Sequence, residues 1–311
     1  MQIILVAPRG FCAGVNMAIE SLRRAIELYG VPVYVFHEIV HNRWVVQGFR
    51  AQGAVFVDRL DEVPPGAVLL FSAHGVSPQV RSEAAQRRLR TIDATCPLVT
   101  KVHREAVRFA ANGYNIVLIG HAGHDEVVGV LGEAPNRIHL VQTAADVDHL
   151  RLPDDAKLAY LTQTTLSMDD AAEIIDRLTQ RYPQIVGPSR ADICYATQNR
   201  QRVITRWCRE ADIVLVVGSR NSSNSRRLAE LASSQGVAAH RIDGPDDLNW
   251  NWFTEHQTVM ITAGASAPEE LVQRCVEALQ SRFHATVESR VLCREEVLFA
   301  LPEPLRERPS P

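Results

Sequence analysis

Short apolar runs alternate with longer amphipathic stretches along nearly the whole chain, and this alternation restricts the fold more than any other feature. Seven runs are strongly apolar and rich in β-branched residues: 3–7, 31–36, 67–72, 115–120, 157–161, 212–218 and 258–264. Three weaker runs lie at 54–57, 138–141 and 238–242. Strands that are apolar throughout are typical of parallel sheets covered on both faces. Their alternation with helices predicts an α/β protein with right-handed crossovers.

Three cysteines divide the chain at similar intervals. Cys12, Cys96 and Cys194 each stand just before a predicted helix, and they are 84 and 98 residues apart. Each interval has the length of a small α/β unit, although any long chain of alternating strands and helices can be divided in this way. We predict three similar modules, at 14–96, 97–193 and 194–281.

The two ends of the chain complete this domain prediction. Residues 1–13 contain a strand and the first of the three cysteines, and residues 282–311 form a C-terminal segment; we expect both to pack on the core. The last residues, rich in proline and charge, are predicted to be poorly ordered at their end.

The charge balance and the longest apolar runs exclude several classes of protein. The chain has 33 basic and 36 acidic residues, a net charge of −3, which argues against broad capture of nucleic acid. No apolar run approaches the roughly 20 residues of a membrane span. No basic segment precedes the first strand, so we expect no signal peptide and a cytoplasmic protein. In that reducing compartment, cysteines are thiols or metal ligands more often than disulfides.

The six cysteines fall into two groups. Cys208 and Cys275 lie in amphipathic stretches and Cys293 has no bend around it, so these three are predicted to be small structural side chains. The other three occur in GFCAG, DATCPLV and ADICYAT, at bends or helix starts, where backbone N–H groups stabilise a thiolate.

Three thiolates from distant loops could converge on one metal centre and leave a coordination position open, as catalytic sites require. Sulfur ligands favour iron–sulfur, zinc or copper(I), and no pair has the C-x-x-C spacing of zinc ribbons or redox dithiols. The alternative is that the three loop cysteines are unrelated.

Polar loops follow many of the predicted strands, at the sheet edge where α/β proteins bind ligands. They carry small residues, hydroxyls and histidines: HNRW (41–44), SAHGVS (72–77), GHAGHDE (120–126), TQTTLS (162–167), SRNSSNS (219–225) and AGASAP (263–268). Free N–H groups and hydroxyls before a helix form an anion site, which predicts a phosphate or diphosphate ligand. Any single serine or asparagine among them is explained equally well as a helix N-cap. No nucleotide-binding glycine motif is present.

Taken together, these motifs resemble the 4-hydroxy-3-methylbut-2-enyl diphosphate reductase family. The resemblance runs from Met1 to about Phe299 and rests on segments in the family's order: PRGFCAGV, HEIVHNRWVV, FSAHGVS, DATCPLVTKVH, IGHAGH, TQTTLS, DICYATQNRQ, GSRNSSNS and TAGASAP. It implies three small α/β modules in a trefoil-like arrangement around a central cleft. It also implies one 4Fe–4S cluster, held by Cys12, Cys96 and Cys194, whose fourth iron is open to substrate.

The resemblance assigns further roles residue by residue. Glu126 matches the acid that supplies a proton, and Thr164 matches the threonine that contacts the substrate hydroxyl. The residues that match those around the diphosphate are His41, His74, His124, Ser222, Ser223, Asn224 and Ser266. The family usually has GHPE where this chain has Gly123-His124-Asp125-Glu126, so a charge replaces a rigid residue beside the acid.

The implied reaction is the reductive dehydroxylation of an allylic diphosphate to isopentenyl and dimethylallyl diphosphate. It uses two electrons from a one-electron donor such as ferredoxin or flavodoxin. Two other functions stay open on the residues alone. One is a zinc hydrolase with three thiolate ligands, and the other is a non-catalytic sensor of a phosphate ligand.

Overall fold

The computed structural model describes residues 1–152 and 156–306, in which helices and strands alternate as the sequence predicts. The strands are β1 (Gln2–Ala7), β2 (Val33–Phe36), β3 (Ala54–Val57), β4 (Val68–Phe71), β5 (Arg90–Asp93), β6 (Asn115–Ile119), β7 (Ile138–Val141), β8 (Leu158–Thr162), β9 (Ile213–Val217), β10 (Ala238–Ile242), β11 (Thr258–Ala263) and β12 (Thr286–Val291). The α-helices are α1 (Ala13–Tyr29), α2 (Arg43–Ala51), α3 (Pro78–Gln86), α4 (Pro97–Ala111), α5 (Asp125–Leu131), α6 (Ala144–His149), α7 (Met168–Arg181), α8 (Tyr195–Trp207), α9 (Ser223–Ser234) and α10 (Glu269–Phe283). The disorder predicted for the end of the tail falls on residues 307–311, outside the described residues.

The described strands form three sheets, and every pairing between them is parallel. Their orders are β10-β9-β11-β1-β12, β3-β2-β4-β5 and β7-β6-β8. This confirms the prediction of an α/β protein with parallel sheets. The module boundaries at 14–96, 97–193 and 194–281 stay a prediction.

Two strands have no counterpart in the predicted apolar runs. Both β5 (RTID) and β12 (TVESRV) lie at the edge of a sheet, and their side chains are mostly exposed. An edge strand needs no continuous apolar run because one side of it faces water, and charged residues protect it from further pairing. Apolar periodicity therefore detects the central strands and misses these two.

The chain forms two compact units. The first unit comprises Met1–Asn16, His41–Gly48 and Tyr195–Leu298, and it contains the five-stranded sheet. The second unit comprises Met17–Val40, Phe49–Cys194 and the described part of the segment that begins at Phe299; it contains the other two sheets. In the described residues, no helix is long and apolar enough to cross a membrane.

Strand β1 shows why the sheet of the first unit is apolar throughout. Ile3 and Leu5 pack in one buried layer, which includes residues of α10. Ile4 and Val6 point to the opposite face and pack in a second layer, which includes residues of α8 and α9. Successive side chains of a strand alternate between its faces, so a strand covered on both sides must be apolar at every position.

The second unit repeats this arrangement around β6. Ile116 and Leu118 pack in a layer with residues of α4, whereas Val117 and Ile119 pack in a layer with residues of α7. The polar loops therefore follow strands that are packed on both faces. Such a rigid sheet holds the functional groups of its loops in fixed positions.

Candidate functional site

The three cysteines singled out in the sequence each directly precede a helix. Cys12 precedes α1, Cys96 is the N-cap of α4, and Cys194 precedes α8. All three are partly exposed. The predicted position at helix starts is thereby confirmed.

Two of the remaining cysteines are buried. Cys208 and Cys275 lie in apolar layers of the first unit, and burial raises the pKa of each thiol, that of Cys275 to about 12. Such thiols stay protonated at neutral pH, so the prediction that they are packing residues is confirmed. Cys208 begins a short 3₁₀ turn immediately after α8 and does not lie within the helix. Cys293 is partly exposed and lies in a segment without helix or strand.

In the first unit, three contacts hold the loop that carries Cys12. The Cys12 N–H donates to the Ala265 carbonyl oxygen at 3.2 Å, and the Ala13 N–H donates to the Tyr195 hydroxyl oxygen at 3.3 Å. The Arg9 guanidinium donates two hydrogen bonds to Glu269, at 2.6 and 3.1 Å. These contacts fix the backbone on both sides of the thiol.

The start of α9, also in the first unit, gathers hydroxyl groups around Ser222. Ser222 is the N-cap of α9, and its Oγ accepts hydrogen bonds from the Ser225 N–H (3.3 Å) and the Ser225 hydroxyl (2.9 Å). The Ser266 hydroxyl lies 3.4 Å from Ser222 Oγ and donates to the His41 carbonyl oxygen at 3.0 Å. The structure thus brings together Ser222, Ser266 and the backbone of His41.

Asn224 is the most informative residue of this loop. Only 4% of its surface is exposed, and neither its Nδ2 nor its Oδ1 has a hydrogen-bond partner among the described residues. A buried amide without partners is costly, and most buried polar groups are paired. A ligand that bonds to the amide relieves that cost.

Ser225 and Gly264 belong to the same loop region and were not predicted. A Cβ at Gly264 would lie 1.9 Å from Ser225 Oγ, so only glycine allows this close approach. The glycine and the hydroxyl stand in the motifs AGASAP and SRNSSNS, but their contact becomes visible only in the folded chain.

In the second unit, Glu126 and Thr164 form a buried pair. The Thr164 N–H donates to Glu126 Oε1 at 2.6 Å, and the Thr164 hydroxyl donates to Oε2 at 2.9 Å. Glu126 is 2% exposed and Thr164 is 5% exposed. Both carboxylate oxygens of Glu126 are therefore engaged by a single residue from another loop.

Burial raises the pKa of Glu126 from 4.5 to about 7, even though the two hydrogen bonds from Thr164 favour the carboxylate. The negative charge of Asp192 contributes to this rise. A carboxyl group with a pKa near 7 is half protonated at neutral pH, and this is the condition under which an acid both gives and recovers a proton.

Thr164 also contacts the segment that carries Cys194. The Cys194 N–H donates to the Thr164 carbonyl oxygen at 3.1 Å. The Cys96 N–H in turn donates to the carbonyl oxygen of Ala73, the neighbour of His74, at 3.0 Å. Within this unit, each of the two cysteines is thus attached through its backbone to a loop that contains a predicted site residue.

His124 is the N-cap of α5, and its Nδ1 accepts a hydrogen bond from the Glu126 N–H at 3.2 Å. The proton of the neutral ring then lies on Nε2, which makes that nitrogen a hydrogen-bond donor. The rings of His74 and His124 meet edge to face, with centroids 5.9 Å apart. The structure therefore brings His74, His124 and Glu126 close together.

Asp125, the residue that departs from the usual pattern, has an imidazole partner. Its Oδ1 lies 2.8 Å from His37 Nδ1, and its Oδ2 lies 3.9 Å from His74 Nδ1. The hydrogen bond to Asp125 raises the pKa of His37 above its ordinary 6.5. His37 stands in the HEIVHNRWVV motif but was not predicted as a site residue.

A second buried carboxylate, Asp192, was also missed. It accepts hydrogen bonds from the Thr162 N–H at 2.9 Å and from Lys101 at 2.6 Å, and burial raises its pKa to about 6. Lys101 lies in α4, which begins after Cys96, and Asp192 lies two residues before Cys194. No sequence signal reveals this ion pair, because 91 residues separate its members.

Comparisons with known proteins agree with this fold. The sequence model described as the LytB protein family matches residues 3–280. The 4-hydroxy-3-methylbut-2-enyl diphosphate reductase of Rhodopirellula baltica is 58% identical over 306 residues, which cover 98% of this chain and 96% of the relative. The reductase of the same name from Glaesserella parasuis is 53% identical over 309 residues, 98% of each chain.

Solved structures are similar as well. The E-1-hydroxy-2-methyl-but-2-enyl-4-diphosphate reductase from Plasmodium falciparum matches with a TM-score of 0.95 and 40% identity, over 98% of this chain and 96% of that one. A structure of (E)-4-hydroxy-3-methyl-but-2-enyl diphosphate reductase, described as the terminal enzyme of the non-mevalonate pathway, matches with a TM-score of 0.65 and 27% identity. The match covers 90% of this chain and 100% of that one.

The fold is that of a parallel α/β protein, and the family model covers residues 3–280, which is most of the chain. The chain therefore belongs to the LytB protein family. Its relatives show that it is a member of the 4-hydroxy-3-methylbut-2-enyl diphosphate reductase family, which is a family of oxidoreductases. The resemblance stated from the sequence motifs is thereby confirmed.

Proposed function

We propose that this chain catalyses the reductive dehydroxylation of 4-hydroxy-3-methylbut-2-enyl diphosphate to isopentenyl diphosphate and dimethylallyl diphosphate. The observation that carries the proposal is the buried Glu126, with a pKa of about 7 and both carboxylate oxygens bonded to Thr164. Thr164 in turn accepts a hydrogen bond from the Cys194 N–H. A proton donor is thus attached to a cysteine-bearing segment, an arrangement that a plain phosphate sensor does not need.

The cysteines are suited to hold the cofactor of this reaction. Cys12, Cys96 and Cys194 are partly exposed thiols at helix starts, and soft thiolates are the ligands of iron–sulfur clusters. We propose them as the ligands of one 4Fe–4S cluster, with one iron open to substrate. When bound, such a cluster supplies the two electrons one at a time together with a Lewis-acidic iron.

The diphosphate group is the proposed ligand of the polar loops. Asn224 offers a buried amide without a partner, and Ser222, Ser223 and Ser266 add hydroxyls at or near the start of α9. Hydroxyls, amide groups and free N–H groups at a helix N-terminus bind phosphate oxygens through charge-assisted hydrogen bonds. The imidazoles proposed to bind the same ligand are those of His41, His74 and His124.

Proton delivery is the proposed task of Glu126. Loss of the hydroxyl group as water consumes two electrons and two protons, and a carboxyl group with a pKa near 7 can donate one of these protons at neutral pH. Thr164 holds that carboxyl group in place and presents its own hydroxyl to the substrate alcohol. We further propose a cytoplasmic enzyme that receives single electrons from ferredoxin or flavodoxin.

Iron analysis of cysteine variants tests this function. Cys12→Ser, Cys96→Ser and Cys194→Ser, purified without oxygen, should each lose most of the cluster's iron, sulfide and visible absorption. Cys208→Ala and Cys275→Ala remove buried packing thiols, and Cys293→Ala removes a thiol outside the proposed ligand set. These three controls should retain the cluster.

The same measurement separates the alternatives. A colourless protein that contains zinc and hydrolyses a phosphorylated compound would replace the reductase with a hydrolase. Full iron content in all three serine variants would remove these cysteines from the cluster.

A further inference from the structure

The guanidinium of Arg200, in α8, is fully buried and is bonded to the loop that carries Cys12. Its Nη2 donates to the Gly10 carbonyl oxygen at 2.6 Å, and Gly10 lies two residues before the thiol. Gly10 has a φ of +68°, a backbone conformation that other residues rarely adopt. A buried charge therefore fixes the orientation of one peptide group in the turn that presents Cys12.

The positive charge of Arg200 is balanced by the carboxylate of Glu295, in the C-terminal part of the first unit. Arg200 Nη1 lies 3.1 and 3.3 Å from the two carboxylate oxygens of Glu295. Asn199 Nδ2 donates to the same carboxylate at 3.0 Å. Among the described residues, Glu295 is the carboxylate that pairs with Arg200. A buried guanidinium that loses its counter-charge is strongly destabilising, so the two side chains depend on each other.

The sheet explains why Glu295 reaches this position. Strand β12 pairs in parallel with β1, so the carboxyl ends of the two strands lie side by side. The Leu292 N–H continues this pairing by donating to the Ala7 carbonyl oxygen at 2.9 Å. The segment after β12, which has no helix or strand from residue 293 to residue 302, therefore begins beside the turn that follows β1.

We propose that Arg200 and Glu295 are positioning residues for Cys12, with the segment after β12 acting as a strap that supplies the counter-charge. The inference rests on the proposed function, in which Cys12 is a cluster ligand. Arg200 touches the peptide carbonyl of Gly10 and not the thiol, so it acts through the shape of the turn.

The first test compares Glu295→Gln with Glu296→Gln in protein loaded with its cluster. Glu296 is the exposed neighbour of Glu295, so the two substitutions make the same chemical change at adjacent positions. Loss of iron to a chelator should be at least about tenfold faster in Glu295→Gln, because groups outside the ligands of a metal typically contribute tenfold or more to metal affinity. The rate in Glu296→Gln should stay within about twofold of the unchanged protein. Equal rates in the two variants would overturn the proposal.

The double variant Arg200→Met/Glu295→Gln separates positioning from overall stability. It removes both charges, and such replacements of a buried ion pair are commonly neutral or stabilising. It also leaves an acceptor for Asn199. We expect a normal unfolding temperature but rapid loss of iron, because the Gly10 carbonyl oxygen has lost its donor. If iron retention recovered together with the unfolding temperature, Arg200 and Glu295 would serve the fold alone.

A readout that does not depend on the cluster completes the experiment. In the full-length chain without iron, we would measure alkylation of Cys12 by iodoacetamide against that of Cys96 in the same sample. The ratio of the Cys12 rate to the Cys96 rate should be several times higher in Glu295→Gln and in the double variant than in the unchanged protein. A ratio equal to that of the unchanged protein would overturn the proposal. If Cys12→Ser kept its full iron content, the proposed role of Cys12 as a cluster ligand would fail, while the alkylation ratio would still report on the turn.

Discussion

The loop at the start of α9 and the surroundings of Glu126 each bury a polar side chain, but they differ in whether that side chain has hydrogen-bond partners. In the first, a buried amide, Asn224, has no hydrogen-bond partner among the described residues. In the second, the buried carboxyl group of Glu126 has both oxygens bonded by Thr164, and its pKa is raised to about 7. The first region has unused hydrogen-bonding capacity and the second has an unfavourably buried charge.

This difference indicates different tasks. Unused donors and acceptors become favourable only when a ligand arrives, so the α9 loop is suited to binding. Burial disfavours the charged form of a carboxyl group and so raises its pKa, which lets the group release and take up a proton near neutral pH. The surroundings of Glu126 are therefore suited to acid–base chemistry. If this contrast is correct, substitutions in the two regions must affect different measurements.

The largest effect is expected from Glu126→Gln. The amide has the shape of the protonated acid but cannot deliver a proton, and positioned acid–base groups are worth about 10² to 10⁴ in rate. The turnover rate should fall by a factor of about 10² to 10⁴. The cluster spectrum and the affinity for inorganic diphosphate should stay unchanged. Asp125→Asn, at the neighbouring position, is the control and should lose little turnover. A fully active Glu126→Gln enzyme would break the comparison, because proton delivery would then belong to another group.

The same substitution should alter the dependence of stability on pH. The pKa of Glu126 is higher in the folded chain, about 7, than its ordinary 4.5, so the folded state holds the proton more tightly. Its contribution to stability is therefore greatest at low pH and is lost as the pH rises through 7. Between pH 5 and pH 8 this amounts to about 2 to 3 kcal/mol.

Denaturant unfolding at the two pH values measures this contribution. The free energy of unfolding should fall less from pH 5 to pH 8 in Glu126→Gln than in the unchanged chain. Glu296→Gln, which changes an exposed carboxylate, should follow the unchanged chain. Identical pH dependence in all three proteins would mean that Glu126 has an ordinary pKa.

A smaller effect, on binding and not on chemistry, is expected from Asn224→Ala. Hydrogen bonds to charged groups contribute about 1.5 to 3 kcal/mol, so affinity for inorganic diphosphate should fall roughly ten- to a hundredfold. Titration calorimetry measures this loss. Asn221→Ala removes an exposed amide from the same loop and should have little effect. Unchanged affinity in Asn224→Ala would mean that the buried amide serves another purpose.

The smallest effect is expected from Asp125→Asn. Its pair with His37 is partly exposed, so it contributes at most about 1 kcal/mol to stability. Because the pKa of His37 is raised above 6.5, the contribution is present below that pH and is lost as the pH rises through the raised value. Thermal unfolding should therefore distinguish the variant from the unchanged chain at pH 6 and hardly at pH 9. A larger difference at pH 9 would show that the carboxylate has a partner other than charged His37.

Regular structure and the cysteine-bearing turns could be predicted from the sequence because both depend on neighbouring residues. Strands such as β6 (Asn115–Ile119) follow from a continuous apolar run, and α10 (Glu269–Phe283) follows from Pro268 with two acidic residues after it. The position of Cys12, Cys96 and Cys194 before helices is equally local. The motifs around them sufficed to recognise the family.

Only the tertiary structure decided how these groups are paired and how strongly they are perturbed. Glu126 meets Thr164 across 38 residues, and Arg200 meets the carbonyl group of Gly10 across 190. A pKa depends on desolvation and on nearby charges, and an unpaired amide such as Asn224 is recognised only when its surroundings are known. Periodicity along the chain contains no such information, because burial and partners are set by segments that meet only after folding.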